Sequence, residues 1–449
     1  MNGSLETESD AIDDVGVADG WESRTLGELA DDERGITYGI VQPGHHVIGG
    51  VPIVRVQNIV DGTLETSDVM RVAPEIAAKY RRTCLRGGEL LLSLVGSVGS
   101  SVIAPPEFAG WNTARAVAVV PLRSGIDARW VRFCLRSAPL QHLMEVWCNT
   151  TVQATLNLND VRRLPIPLPP TREREAIVAV LGALDDKIEL NRRMNRTLEE
   201  LAGALFRAWF VDFEPVVAQA AGRAPFGLAP AVAALFPASF SDSELGPIPQ
   251  GWRVCSLDEI ADPRGGGTPK TSVTEYWNGD IPWFSVVDSP AAGQVFVLET
   301  EKMITARGMS ESATQLLPEG TTIVTARGTV GNLALVGVPM TMNQSCYGLV
   351  PKNNFGAAYV FFTMQGAVEE LRRNAHGSVF DTITRNTLSS ISIVTPPVEV
   401  RAEYERFATP LLDKIKANVR ESRTLAALRD TLLPKLLSGE LRVKAAERK

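Results

Sequence analysis

The chain has 449 residues, 45% hydrophobic and 22% charged, with a formal net charge of −7. That length exceeds one ordinary domain and suffices for two or three, each with its own core, while the balance is that of a globular rather than a disordered or fibrous protein. No apolar run approaches the ~18–20 residues a membrane helix needs, so no spanning segment and no membrane partner are expected.

Residues 1–20 carry six acids (Glu6, Glu8, Asp10, Asp13, Asp14, Asp19) and no bases, without a periodic apolar pattern; a disordered acidic tail is expected there. It lacks the apolar core after a basic head that marks a secretion signal. Without it the remainder holds 46 acids against 45 bases, a near-neutral body that neither demands nor excludes a DNA partner. Cys84, Cys134, Cys148, Cys255 and Cys346 form no C-x-x-C pair. Neither a disulfide scaffold nor a structural zinc is expected, and a reducing cytoplasm is the expected location.

The rest of the chain is written twice. Gly20-Trp21 with Leu26, Leu29 and Ala30 returns as Gly251-Trp252 with Leu257, Ile260 and Ala261. Val51-Pro52 returns as Ile281-Pro282, and Gly96-Ser97-Val98-Gly99 as Gly328-Thr329-Val330-Gly331. From 152 to 210 the match to 379–437 needs no gap, at a constant shift of 227. It includes Thr155/Thr382, Asn159/Asn386, Asp186-Lys187-Ile188/Asp413-Lys414-Ile415 and Arg196-Thr197-Leu198/Arg423-Thr424-Leu425. So many in-phase matches make the chain two copies of one unit of about 230 residues.

Each copy has two parts. Residues 21–165 and 251–392 are rich in glycine, proline and β-branched residues, with short apolar runs such as 52–56, 89–95, 116–120, 321–325 and 347–350 that read as strands, and helical stretches at 128–136 and 359–373. These are expected to be mixed α/β domains. Residues 171–210 and 398–437 are charged, nearly free of turn residues and helically periodic, set off by Pro169-Pro170 and Pro396-Pro397. A segment at 211–250 links the copies and a tail follows at 438–449.

Apolar residues step by three and four through Ile177, Leu181, Leu184, Ile188, Leu198, Leu205 and Trp209; 227 residues later stand Tyr404, Ala408, Leu411, Ile415, Leu425, Leu432 and Leu436. A repeated heptad-like seam predicts two helices packing antiparallel as a pseudo-twofold coiled coil. The competing reading is two amphipathic helices, each lying on its own domain. Pro410, and Gly182-Ala183 in the first copy, are points where the helices kink or restart, and Pro434 is expected to end the second. Running through, each helix has 40 residues and is about 60 Å long; starting at the breaks, each has 27 and is about 40 Å. Asn191 and Asn418 stand in the seam, either at a solvated edge or facing each other to fix register.

The run Gly265-Gly266-Gly267-Thr268-Pro269-Lys270-Thr271 and the segment 276–283 (Tyr-Trp-Asn-Gly-Asp-Ile-Pro-Trp) resemble the opening of a target recognition domain, as do 39–44 and 51–56 in the first copy. Joined to the repeated helices, and with 209–215 and 244–249 resembling the family's linker, the chain resembles the specificity subunits of type I restriction–modification enzymes over 21–449. The resemblance implies an α+β chain of two target recognition domains joined by two long antiparallel helices. Each domain would read one half of a bipartite, asymmetric site in double-stranded DNA, while the helices set the spacing and dock two modification subunits. Those partners would bind S-adenosylmethionine and methylate adenine, and a restriction (motor) subunit would add cleavage. No cofactor and no metal are expected in this chain.

Base and phosphate contacts need donors, acceptors and cations on loops. The candidates are Tyr38, Gln42, His45, His46, Arg55, Gln57 and Ser97 in the first copy and Arg264, Thr268, Lys270, Thr271, Arg327 and Thr329 in the second. The stretch 264–271 is read as a flexible glycine loop. Because Gly96/Gly99 recur as Gly328/Gly331, they are read as serving the shared fold. His45-His46 lacks a partner cluster for a metal. The helix-pairing candidates are Leu184, Ile188, Asn191, Leu198, Leu205, Leu411, Ile415, Asn418, Leu425 and Leu432.

Catalysis is not expected. Pro269 breaks a Walker pattern in 265–271, and no G-x-S-x-G or H-E-x-x-H occurs. The Asn/Asp-Pro-Pro-aromatic motif of an adenine methyltransferase is absent, since Thr171 and Val398 follow the Pro-Pro pairs. The rival reading is a coiled-coil adaptor whose heads bind protein rather than DNA. A specificity unit of a methylation-only system reads identically.

Overall fold

The computed structural model describes residues 18–60, 62–66, 68–148, 154–291, 293–352, 354–374 and 382–443. The acidic stretch through residue 17 and the tail from 444 lie outside the described residues. The chain divides into two compact units: the described residues up to Asp186 together with those from Leu425 on, and Lys187–Thr424.

In the first unit a four-stranded antiparallel sheet runs in the order Thr37–Tyr38, Val117–Val120, Leu90–Ser93, Ser101–Ile103. A second sheet sets Val51–Val54 between Met70–Val72, antiparallel, and Asn112–Thr113, parallel. Glu22–Thr25 pairs with Pro165–Leu168 and so closes the domain on itself. The two central strands of the larger sheet are buried on every residue, as their apolar sequences, broken only by Ser93, lead one to expect.

The second unit repeats this order. Ala261–Gly265, Cys346–Pro351, Thr322–Thr325 and Leu333–Val336 form the larger sheet, with Phe296–Val297 added at its edge. Trp277–Phe284 lies between Lys302–Ile304 and Thr341–Met342, and Arg253–Ser256 pairs with Ser392–Thr395. Local devices repeat too. Thr25 and Glu28 cap one short helix reciprocally, and Ser256 and Glu259 cap its counterpart. Trp130 Nε1 donates to the Pro167 carbonyl at 2.8 Å, and Tyr359 Oη to the equivalent Val394 carbonyl at 3.3 Å.

Two helices of 40 residues, Thr171–Phe210 and Val398–Leu437, run without interruption. The expected breaks are therefore corrected. Pro410 lies on an exposed face, and the neighbouring turns are held by buried Ala408, Leu412 and Ile415, which offsets the ~3 kcal/mol a helix proline costs. Pro434 is exposed and does not stop the helix short of Leu437. Gly182 is a slot rather than a hinge: a Cβ there would come within 2.9 Å of Arg129 Nη1, whose guanidinium forks onto Asp186 at 2.9 and 3.0 Å.

The helices pair antiparallel inside both units. In the second, Asn191 meets the 418–422 turn and Tyr404 Oη donates to the Ala202 carbonyl at 3.2 Å. In the first, Asp185 accepts from Arg429 at 2.7 Å, and Glu173 accepts from Arg442, just past the end of the second helix, at 2.9 Å. The two readings of the helices turn out to be compatible. Ile177, Leu181, Leu433 and Leu436 share one apolar cluster with Trp130 and Leu143 of the first head. Ala202, Phe206, Tyr404, Ala408 and Ile415 share another with Tyr359 and Phe362 of the second. A helix buried on a partner and on a head needs a wider apolar face than a heptad seam. Of the pairing candidates, Ile188, Ile415, Asn191 and Asn418 are buried, and Leu184, Leu198, Leu205, Leu411, Leu425 and Leu432 are half-buried, with Leu198, Leu205, Leu411 and Leu432 packed against these clusters.

The 211–250 segment is not an open linker. Val216, Val232, Phe236 and Ile248 are buried, and Trp209 packs edge-on against Phe236 with ring centroids 5.1 Å apart.

Ile177 is fully buried and Leu190 exposed on the same helix. Ile177→Ala is expected to cost about 2–5 kcal/mol and Leu190→Ala less than about 0.5 kcal/mol, read as shifts in the urea unfolding midpoint. Asp185 also accepts from Arg132 at 3.2 Å and Arg136 at 3.4 Å, and burial followed by repulsion from Arg136 pushes the Arg132 guanidinium down to about 10 despite the Asp185 charge. Asp185→Ala strands these part-buried cations, with an expected cost of about 2–4 kcal/mol in the same assay.

Candidate nucleic-acid interface

Each unit builds the same pair of exposed turns. In the first, Val51–Val54 runs into a 3₁₀ turn, Val56–Asn58, because the Arg55 amide donates to the Asn58 side chain at 2.9 Å. Buried Asn58 then donates to the carbonyls of Glu65 and Asp68, both at 3.0 Å. In the second, Trp277–Phe284 runs into Val286–Asp288; the Ser285 amide donates to Asp288 at 2.8 Å and the Glu301 amide to its other oxygen at 2.7 Å. The other turn of each pair holds two glycines at positive φ: Gly96 (76°) and Gly99 (84°), Gly328 (79°) and Gly331 (83°). The Gly99 amide closes on the Ser93 carbonyl at 3.1 Å, and Gly331 on Thr325 at 2.8 Å. These glycines build the frame, as their recurrence suggested.

Gln57 and Ser97 come together. Both are exposed, and with Val56, Ile59, Val60 and Ser100 they line a cleft of about 680 Å³. Asp68 organises its rim: it accepts from Arg55 at 2.8 Å and from Gln57 at 2.9 Å. Arg55 Nε is buried without a partner, while its Nη2 also donates to the Asp68 carbonyl at 2.9 Å. Arg55 thus serves the frame as much as any ligand. Tyr38 is an exposed residue paired in register with Ala118. Gln42, His45 and His46 lie on a separate exposed loop, where His46 Nδ1 accepts from the Arg71 amide at 3.4 Å. No metal-competent group of three or more His, Cys, Asp or Glu occurs among the described residues.

In the second unit the reading of 264–271 as a flexible glycine loop is corrected at its start and at Gly266 and Gly267, while 266–271 remain a loop. Ala261–Gly265 is a strand, and the two glycines just beyond it mark close approach. A Cβ on Gly266 would fall 1.9 Å from the Asn343 carbonyl oxygen and one on Gly267 2.5 Å from the Thr314 amide. Gly39 holds the equivalent place in the first unit, 2.2 Å from the Thr113 oxygen. Arg264 is turned onto Asp262 at 3.1 Å and the Leu316 carbonyl at 3.4 Å, and the Thr268 hydroxyl bonds Gln344. Lys270, Thr271, Arg327 and Thr329 are exposed.

The helix crossing contains a polar cluster that the sequence only half revealed. Asn191 Nδ2 donates to Glu421 at 2.9 Å, to Ser422 Oγ at 3.2 Å and to the Asn418 carbonyl at 3.5 Å. Asn418 Nδ2 donates to Asn195 at 2.8 Å. With the 227-residue shift, Asn191–Ser422 and Asn418–Asn195 are the same contact made twice, once from each copy. Asn195, Ser422 and Glu421 were missed, although the shift pairs the first two. The bond from Asn191, then Lys187 at 3.1 Å, hold the Glu421 carboxyl below the ordinary range.

The model of the type I restriction modification DNA specificity domain matches residues 18–200 and 249–419. The HindI type I restriction enzyme specificity subunit of Haemophilus influenzae is 26% identical over 327 residues, 64% of this chain and 71% of that protein. A putative MjaX specificity subunit of Methanocaldococcus jannaschii is 23% identical over 448 residues, 95% of each chain. Among solved structures, a type I restriction–modification S subunit from M. genitalium aligns over 94% of this chain and 98% of its own, at 15% identity and a TM-score of 0.49. Two consecutive matches covering most of the sequence place it: the chain belongs to the DNA specificity subunits of type I restriction–modification systems.

Proposed function

We propose that this chain is the non-catalytic reader of its complex, each unit reading one half of a bipartite, asymmetric site in double-stranded DNA. The observation that carries this is the duplicated frame with unlike exposed side chains: Gln57 on the 3₁₀ turn of the first unit against Val287 on that of the second, with Arg327 exposed beside the second unit's glycine turn. Identical frames suit one kind of ligand, and different side chains suit different sequences of it. The antiparallel helices fix how many base pairs separate the halves, and their exposed faces dock the modification subunits. S-adenosylmethionine and the methyl transfer belong to those partners, and cleavage to a motor subunit where one is present. The adaptor reading is not favoured, because a protein-binding head gives no reason for family membership in DNA specificity.

Mapping methylated adenines in cells with and without the gene is expected to show one gapped, asymmetric motif lost with it; an unchanged methylation pattern contradicts the reading. Binding of a duplex by the assembled complex is expected to weaken steeply with salt, and Arg327→Ala to reduce the log–log slope by about one, as loss of a single phosphate contact does. A salt-independent affinity would instead favour the adaptor.

A further inference from the structure

Gln57 and Val287 occupy the same place in the two units. Each is the second residue of the 3₁₀ turn after the strand that pairs in parallel, Val54 beside Thr113 and Phe284 beside Met342. The burial sequence through 51–57 is repeated at 281–287, ending on an exposed side chain in both. The turn's cap is made by the next residue, Asn58 or Asp288, so neither Gln57 nor Val287 is needed to form it. What differs is chemistry: an amide in one unit, an isopropyl group in the other.

Val287 is 74% exposed. Scattered exposed apolar residues are ordinary, but this one tops a turn whose counterpart places the Gln57 amide in a cleft beside Ser97 and Ser100. Gln57 is already oriented there, because Asp68 takes one amide hydrogen at 2.9 Å. The second amide hydrogen and the carbonyl oxygen remain to offer outward. A glutamine amide pairs bidentately with the N6/N7 edge of adenine, and a small apolar group packs on the thymine methyl.

Resting on the function proposed above, we infer that Gln57 and Val287 are base-reading residues of the two units, Gln57 for an adenine edge in one half-site and Val287 for a thymine methyl in the other. Asp68 is a positioning residue that holds the Gln57 amide. Ser97 and Thr329, on the glycine turns, are equivalent in the same way but alike in chemistry, and so do not distinguish the halves.

The test uses the full chain assembled with its modification subunits and a duplex panel in which each position of the mapped motif is replaced by the other three base pairs. Wild type should discriminate at each read position by about 5- to 150-fold, and Gln57→Ala should reduce this to within about twofold at one adenine position of one half only. Val287→Ser should relax one thymine position in the other half, and replacing that thymine by uracil should weaken wild type but not the variant. Asp68→Asn should relax the Gln57 position partially and no other. Binding is read separately from methylation, so a variant that lost turnover would still report its base preference. Full discrimination at every position in both variants overturns this assignment while leaving the subunit's function standing. Absence of discrimination in wild type itself overturns both.

Discussion

Asn191, Asn195, Asn418 and Ser422 meet between the two long helices, and burying polar side chains costs free energy that only matched hydrogen bonds offset. A slip of one residue along either helix would unpair Asn191 from Ser422 and Asn418 from Asn195 together. Leucine in these places would pack at least as well but in several registers. Asn418 Oδ1 is buried without a partner, so the crossing is costly as well as specific. Register here decides which residues of each helix meet.

Away from the crossing the two copies diverge in how the helices join their heads. Asp185 gathers Arg132, Arg136 and Arg429 in the first unit. The positions equivalent to Asp185 and Arg429 in the second are Leu412 and Ala202, buried in a cluster with Phe206, Tyr359, Phe362 and Tyr404. A charged junction and an aromatic one cannot substitute for each other without leaving charges unpaired. The duplication is thus symmetric in backbone and deliberately unlike in side chains, and the exposed turns follow the same rule as the junctions.

Much of this was legible in the sequence, for a physical reason: in-phase matches survive where both copies must build the same backbone. The Pro-Pro pairs marked the starts of both long helices, and the glycine pairs marked turns needing positive φ. Legibility failed where a residue's role depends on a neighbour distant in sequence. Pro410 looks like a break until the buried Ala408 and Ile415 around it are counted. Gly182 looks like a hinge until Arg129 is seen to fill the space, and Gly266 looks like a flexible loop until the Asn343 carbonyl is found against it. Asp68 gave no local signal at all, since its partners Arg55 and Gln57 reach it from another strand end. The heptad pattern located the seam but not its width, because it carries no record of the head packed on the same helix.

The antiparallel crossing is tested most directly by cysteines placed where its side chains meet. In the Asn195→Cys, Asn418→Cys double variant, mild oxidation should link the peptides containing 195 and 418 in the intact monomer, seen by mass spectrometry. A shifted control, Arg193→Cys with Asn418→Cys, should link far less. Linkage of the shifted pair in preference, or of neither, would contradict the register on which the account rests.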